Sequence, residues 1–177
     1  LSVLSAEIDK RGAKMRMQSL LMAAEAARMQ GNHAKAVEVL ELAYSLYPAR
    51  VNVLNNLVYA LSERPATMKR AEALLPKLVA LGKESFPVLD TAAMVYLRAG
   101  QVERARDLME RAMTLMEPGH YSALEMTLNA AEIYMLSGKW DEAETHLNAV
   151  WEFHDRSSDI DNRAKALLKK LKNRRWQ

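Results

Sequence analysis

The sequence predicts an all-α protein made of repeated helical hairpins, and three observations carry that expectation. Straight-chain or small residues (Ala, Leu, Met, Glu, Lys, Arg) dominate, while the 177 residues include only 6 glycines and 5 prolines. Such side chains lose little rotamer freedom in a helix. Valine and isoleucine never gather into an alternating run, so the signature of strands is missing. Finally, a phrase recurs: GNHAKA from Gly31, GQVERA from Gly100 and GKWDEA from Gly138. Self-similarity at periods of about 20–50 residues marks repeat architectures.

Alanines 36, 71, 105 and 143 anchor four segments, at spacings of 35, 34 and 38 residues. Residues 1–16 precede them and read as an N-terminal helix or the remnant of an earlier repeat. Leu1 is not an initiator methionine, so a segment of a longer chain is expected. The first repeat, 17–50, should hold helices near 17–30 and 33–46; the second, 51–85, helices near 51–63 and 67–81. The third, 86–119, gives 86–98 and 102–116, and the fourth, 120–156, gives 121–136 and 140–154. Residues 157–177 read as a basic capping helix: Asp159 and Asp161 stand at its start, and Ala164, Leu167, Leu168 and Leu171 follow helical spacing. Repeat arrays need such caps, because each unit buries its apolar face on a neighbour.

The recurring phrase has a physical reading. Each glycine follows a helical run, where a left-handed residue closes the helix without a Cβ penalty. Glu103, Asp141 and Glu142 then fall in the first turn of the next helix and favour its dipole. The alanine one turn further on lets the two helices of a hairpin approach closely. The second repeat departs from this: ERPATMKRA, one residue longer, replaces the glycine turn.

At these positions the sequence resembles the tetratricopeptide repeat (TPR) family, whose pattern is W-x2-L-G-x2-Y…A-x3-F…P over about 34 residues. The matches are Leu20, Ala23, Ala24, Ala27, Ala36, Leu40 and Pro48 in the first repeat, and Leu54, Leu57, Val58, Leu61, Ala71 and Leu75 in the second. The third offers Leu89, Ala92, Ala93, Tyr96, Ala105 and Met109, the fourth Ala130, Ala131, Tyr134, Ala143 and Leu147. Thr127 stands where the family prefers a large apolar residue, and Pro118 arrives late. The resemblance implies a right-handed superhelical solenoid in which the first helix of each hairpin lines a concave groove.

It also implies a role: a non-catalytic scaffold or adaptor that holds a peptide or helix of a protein partner in that groove. By register, the groove should be lined by Leu21 and Glu25, with Gln18 and Arg28; by Asn52, Asn55 and Tyr59; by Asp90, Met94, Leu97 and Arg98; and by Leu128 and Glu132. This mixed surface with apolar spots suits an extended or helical peptide with a few anchors. Some TPR domains clamp a C-terminal carboxylate of chaperones, and Asn56 falls where that clamp places its central asparagine. Leu21, Glu25, Pro87 and Thr91 stand where Lys, Asn or Arg would be needed, so a chaperone clamp is not expected.

The basic tail is a second candidate surface. From Arg163 to Gln177 there are seven basic residues and no acid; the other 18 basic residues face 22 acidic ones, leaving a body of net −4. Lys165, Lys169, Lys170, Lys172, Arg174 and Arg175 could touch nucleic acid or an anionic membrane, a reading placed behind the groove. Self-association, or service as a passive spacer, is a further alternative.

Other chemistries find little support. With no cysteine, disulfides and thiol catalysis are excluded. His146 and His154, eight residues apart, cannot share a metal; His146 with Glu142 makes two ligands and no third is evident. His33 and Trp140 occupy a packing slot in sister repeats. Phosphate-binding, nucleophile-elbow and zinc-protease motifs are absent, so no enzyme and no cofactor is expected. No apolar run approaches the roughly 18–20 residues that span a bilayer, and Glu7, Asp9 and Lys10 interrupt the start too early for a signal peptide.

Overall fold

The computed structural model describes residues 2–82, 85–116, 123–153 and 156–174, with side chains described from residue 10 to residue 173. Among them the chain forms nine α-helices and no strand: α1 (Ser2–Met29), α2 (His33–Leu46), α3 (Val51–Ser62), α4 (Pro65–Gly82), α5 (Phe86–Arg98), α6 (Val102–Leu115), α7 (Ala123–Leu136), α8 (Trp140–Trp151) and α9 (Ser158–Arg174). They fall into two compact units, Leu1–Leu81 and Gly82–Gln177.

The three glycine turns are built alike. Gly31, Gly100 and Gly138 have φ of 73°, 77° and 75°. In each, the glycine N–H donates to a carbonyl three residues back (Arg28, Leu97, Met135). The next N–H donates five residues back (Ala27, Tyr96, Tyr134). This pair of bonds is the Schellman motif, which satisfies carbonyls left over at a helix end. The turn after α3 lacks the glycine and closes otherwise: Thr67 Oγ1 donates to the carbonyls of Leu61 (2.5 Å) and Arg64 (3.2 Å).

The second helices share one rhythm of burial. Ala36, Leu40 and Ala43 in α2, Ala71, Leu75 and Leu78 in α4, Ala105, Met109 and Ala112 in α6, and Ala143, Leu147 and Val150 in α8 are all buried. That spacing of i, i+4, i+7 puts one narrow stripe on the partner helix. The anchoring alanines are at most 1% exposed, so close approach of the helices rests on their lack of bulk.

In the first unit, α2 packs on α1 and on α3. Polar straps also tie α4 to α2: Arg70 Nη2 lies 2.8 Å from Glu41 Oε2, and Lys77 Nζ donates to Tyr44 Oη at 2.7 Å. Two departures from the sequence expectation occur here. Residues 2–16 do not form a separate element but run unbroken into the first hairpin helix as α1. Helix α4 starts at Pro65, a position where an N–H would have no intrahelical partner and proline's lack of one costs nothing, and continues through Pro76. Pro76 is exposed, as is Glu72, whose carbonyl is the one that a proline at 76 cannot serve.

In the second unit, α5 pairs with α6 and α7 with α8, while α9 packs on both α7 and α8. Ala164, Leu167 and Leu171 of α9 are buried in the same cluster as Leu147 and Val150 of α8. Thr127, the irregular residue of the fourth repeat, is buried, with its hydroxyl donating to the Ala123 carbonyl at 2.7 Å. Trp140 packs against this core. His33 is half-buried like Val102 and Trp140 in the sister repeats, with Nδ1 3.1 Å from Glu63 Oε2. No helix among the described residues is long and apolar enough to cross a membrane.

Candidate functional site

In the first unit, α1, α2 and α3 enclose a small cleft of about 50 Å³ lined by Leu21, Ala24, Glu25, Arg28, Ala36, Leu40, Asn56, Tyr59 and Ala60. Helical spacing explains the lining. Leu21, Glu25 and Arg28 lie on one face of α1, and Asn52, Asn56 and Tyr59 on one face of α3. Leu21, Arg28 and Tyr59 are half-buried, and Glu25, Asn52 and Asn56 exposed. Arg28 organises the rim. Its Nε and Nη2 donate to the two carboxylate oxygens of Glu25 at 2.9 and 2.7 Å. The guanidinium lies 6.0 Å from the Tyr59 ring centroid and its Nη1 is 3.8 Å from Glu63. The hydrogen bonds from Arg28 hold the Glu25 carboxyl below its usual range. Asn55 does not line this cleft; its Oδ1 is buried without a hydrogen-bond partner among the described residues.

In the second unit, the corresponding helices carry a polar stripe. Asn129 Nδ2 on α7 donates to Asp90 Oδ1 on α5 at 2.8 Å. Arg163 Nη2 on α9 reaches Glu132 Oε2 on α7 at 2.8 Å. Burial pushes the Asp90 carboxyl up to about 6; the Glu125 carboxylate pushes the same way, while the Asn129 hydrogen bond and the charges of Arg163 and Arg98 oppose it.

Three residues expected on an open groove are packed instead. Leu128 is fully buried, Met94 2% exposed and Leu97 8% exposed, all in the core of the second unit. Register alone places them on the inner face of first helices, but neighbouring helices close over that face. The groove residues that stay accessible there are polar: Arg98 and Glu132, both half-buried like Asp90. The sequence reading missed Asn129 and Arg163. Arg163 was counted with the basic tail, and only the docking of α9 shows that it faces Glu132.

On α9, Lys165, Lys169, Lys170 and Lys172 are exposed, and none has an ion-pair partner among the described residues. Arg174 closes the helix, its side chain outside the described set, and Arg175 lies outside the described residues altogether. His146 stacks on Tyr134, with ring centroids 5.2 Å apart, and burial lowers its pKa. It is a packing residue, and His154 lies outside the described residues.

Two family profiles, each described as tetratricopeptide repeat, match residues 18–49 and 96–171, together more than half of the sequence. The chain belongs to the tetratricopeptide repeat family, whose repeats serve in general as non-catalytic scaffolds for protein–protein interaction. Among solved structures it is similar to a putative kinesin light chain with TPR-like repeats from Podosopora anserina (TM-score 0.62, 20% identity, 89% of this chain and 94% of that one). It is also similar to Pseudomonas aeruginosa pilF (TM-score 0.66, 15% identity, 92% and 72%). A third is the first TPR of Spaghetti (RPAP3) bound to the HSP90 peptide SRMEEVD (TM-score 0.55, 18% identity, 70% and 94%). At these identities the likeness speaks for the fold. A comparison with curated proteins found no match.

Proposed function

We propose that this chain binds a peptide or helical segment of a protein partner on the faces of its first helices, with the cleft between α1 and α3 as the anchoring point. The observation that carries this reading is the cleft itself: Leu21 and Tyr59 give an apolar floor, while Asn56 and the Arg28–Glu25 pair give it oriented polar edges. Apolar anchors supply affinity in such interfaces, and polar groups around them fix direction. Asn52 extends the face of α3 along the ligand, and Asn55 lies outside it. Asp90, Arg98 and Glu132 offer a separate polar face on the second unit, where Met94, Leu97 and Leu128 serve as core.

The neighbour that holds an HSP90 peptide supports peptide capture as a use of this fold. The chemistry here differs, because the cation lining the cleft, Arg28, is already engaged by Glu25 in place of a terminal carboxylate. A partner segment with an apolar side chain and neutral or basic flanks suits it better. Asn56→Arg, a substitution at an exposed position, should fill the cleft and abolish capture of the partner while leaving helicity unchanged. Unaltered capture would move the binding surface off the first unit. The charged face of α9 is the competing surface, contacting nucleic acid or an anionic membrane, and charge reversal there tests it separately.

A further inference from the structure

The N-terminal extension of α1 builds something that its sequence does not announce. Residues Lys10, Arg11, Ala13, Lys14 and Met17 lie against the α2–α3 connection, where Tyr47 and Arg50 complete a recess of about 440 Å³. Tyr47, at the C-terminus of α2, donates its hydroxyl to the Ala13 carbonyl at 3.0 Å and so fixes α1 over this connection. Arg50 precedes α3 and is exposed, with no capping hydrogen bond from its side chain. Four cations from two separate parts of the chain thus converge on one hollow with Met17 and Tyr47 in its wall.

Arg28, Lys35, Arg70, Arg106, Lys139, Arg156 and Arg163 have carboxylate partners, and other cations stand singly or along one helix face. Lys10, Arg11, Lys14 and Arg50 have none among the described residues. Like charges held together repel, and an incoming anion relieves that repulsion. The lysines of α9 are also unmatched, but they stand on one face of a single helix. The recess has a concave wall with apolar area, and concavity allows a ligand to be desolvated while its charges are met at the rim.

We propose that the recess bounded by Lys10, Arg11, Lys14 and Arg50 is a second binding site, for an acidic peptide segment that inserts one apolar side chain between Met17 and Tyr47. Guanidinium groups match carboxylates in geometry, and the mixed wall distinguishes such a peptide from a bare phosphate backbone. The site does not depend on the cleft between α1 and α3, whose polar groups are neutral or paired.

The test is a fluorescence-anisotropy titration with a labelled peptide of glutamates around one central phenylalanine. The wild-type chain and an Asn56→Arg variant should bind it equally. Lys14→Glu with Arg50→Glu should weaken binding by about tenfold or more, and the milder pair Lys10→Ala with Lys14→Ala should weaken it measurably with an unchanged helical spectrum. Lys165→Glu with Lys169→Glu, an equal change of charge on α9, should leave it unaffected. An equal loss from the α9 pair, undiminished binding of a peptide without the phenylalanine, or tighter binding of an oligouridylate would each overturn the proposal.

Discussion

Single residues decide the geometry of the turns and one pH response. At Gly100, φ is 77° and no atom stands within 4 Å of where a Cβ would lie, so a substitution there meets backbone strain alone. Gly100→Ala should destabilise the protein by about 1–2 kcal/mol, read as a fall in urea midpoint. Gly12 is also unobstructed but sits within α1, where alanine is the better helix former. Gly12→Ala should therefore stabilise by about 0.5–1 kcal/mol; a loss would mean that α1 is not helical at that point. Asp90 supplies the pH response. Its folded-state value of about 6 lies above the ordinary 3.8. The contribution to stability is therefore complete below the ordinary value and lost as pH rises through about 6. Between pH 5 and pH 8 the wild type should lose about 1–2 kcal/mol from this group. Asp90→Asn, which keeps an oxygen for Asn129, should flatten that decline, and an unchanged slope would show that another group causes it.

Elements were legible where local chemistry decides and obscure where neighbours decide. Glycine turns and the alanine register define the hairpins, and α2 and α5 begin and end where the spacing puts them. At Ala105 the prediction is direct: Ala105→Leu should overpack the α5–α6 crossing and cost about 1–3 kcal/mol, seen in thermal unfolding. The extent of α1 was hidden because Lys10, Arg11, Lys14 and Arg16 interrupt any apolar stripe, and its early turns rest on the α2–α3 connection through Tyr47. The burial of Met94, Leu97 and Leu128 was hidden too, since periodicity gives a face but not what covers it. Leu97→Glu would thus place a charge in a core and report on folding instead of binding. Helix α9 carries the same lesson: its leucines complete the core of the second unit, so removing it should expose Leu147 and Val150. Charge reversal of its exposed lysines is the cleaner way to test its outer face.

At the scale of the whole molecule, the chain presents surfaces of differing character: a cleft with neutral and paired groups on the first unit, a recess rimmed by four cations at its N-terminal helix, and a lysine face on α9. A scaffold can use such surfaces for different partners, since each is recognised by its own chemistry. On the function proposed above, the cleft between α1 and α3 holds the principal partner. Affinity capture from the source lysate tests it most directly, comparing wild type, Asn56→Arg, and the combined Lys165→Glu, Lys169→Glu and Lys172→Glu variant at low and high salt. With the cleft as the working surface, the partner should survive high salt and the lysine reversals and disappear with Asn56→Arg. A partner that persists with Asn56→Arg but is lost on lysine reversal, and washed away by salt, would contradict it and make α9 the working surface.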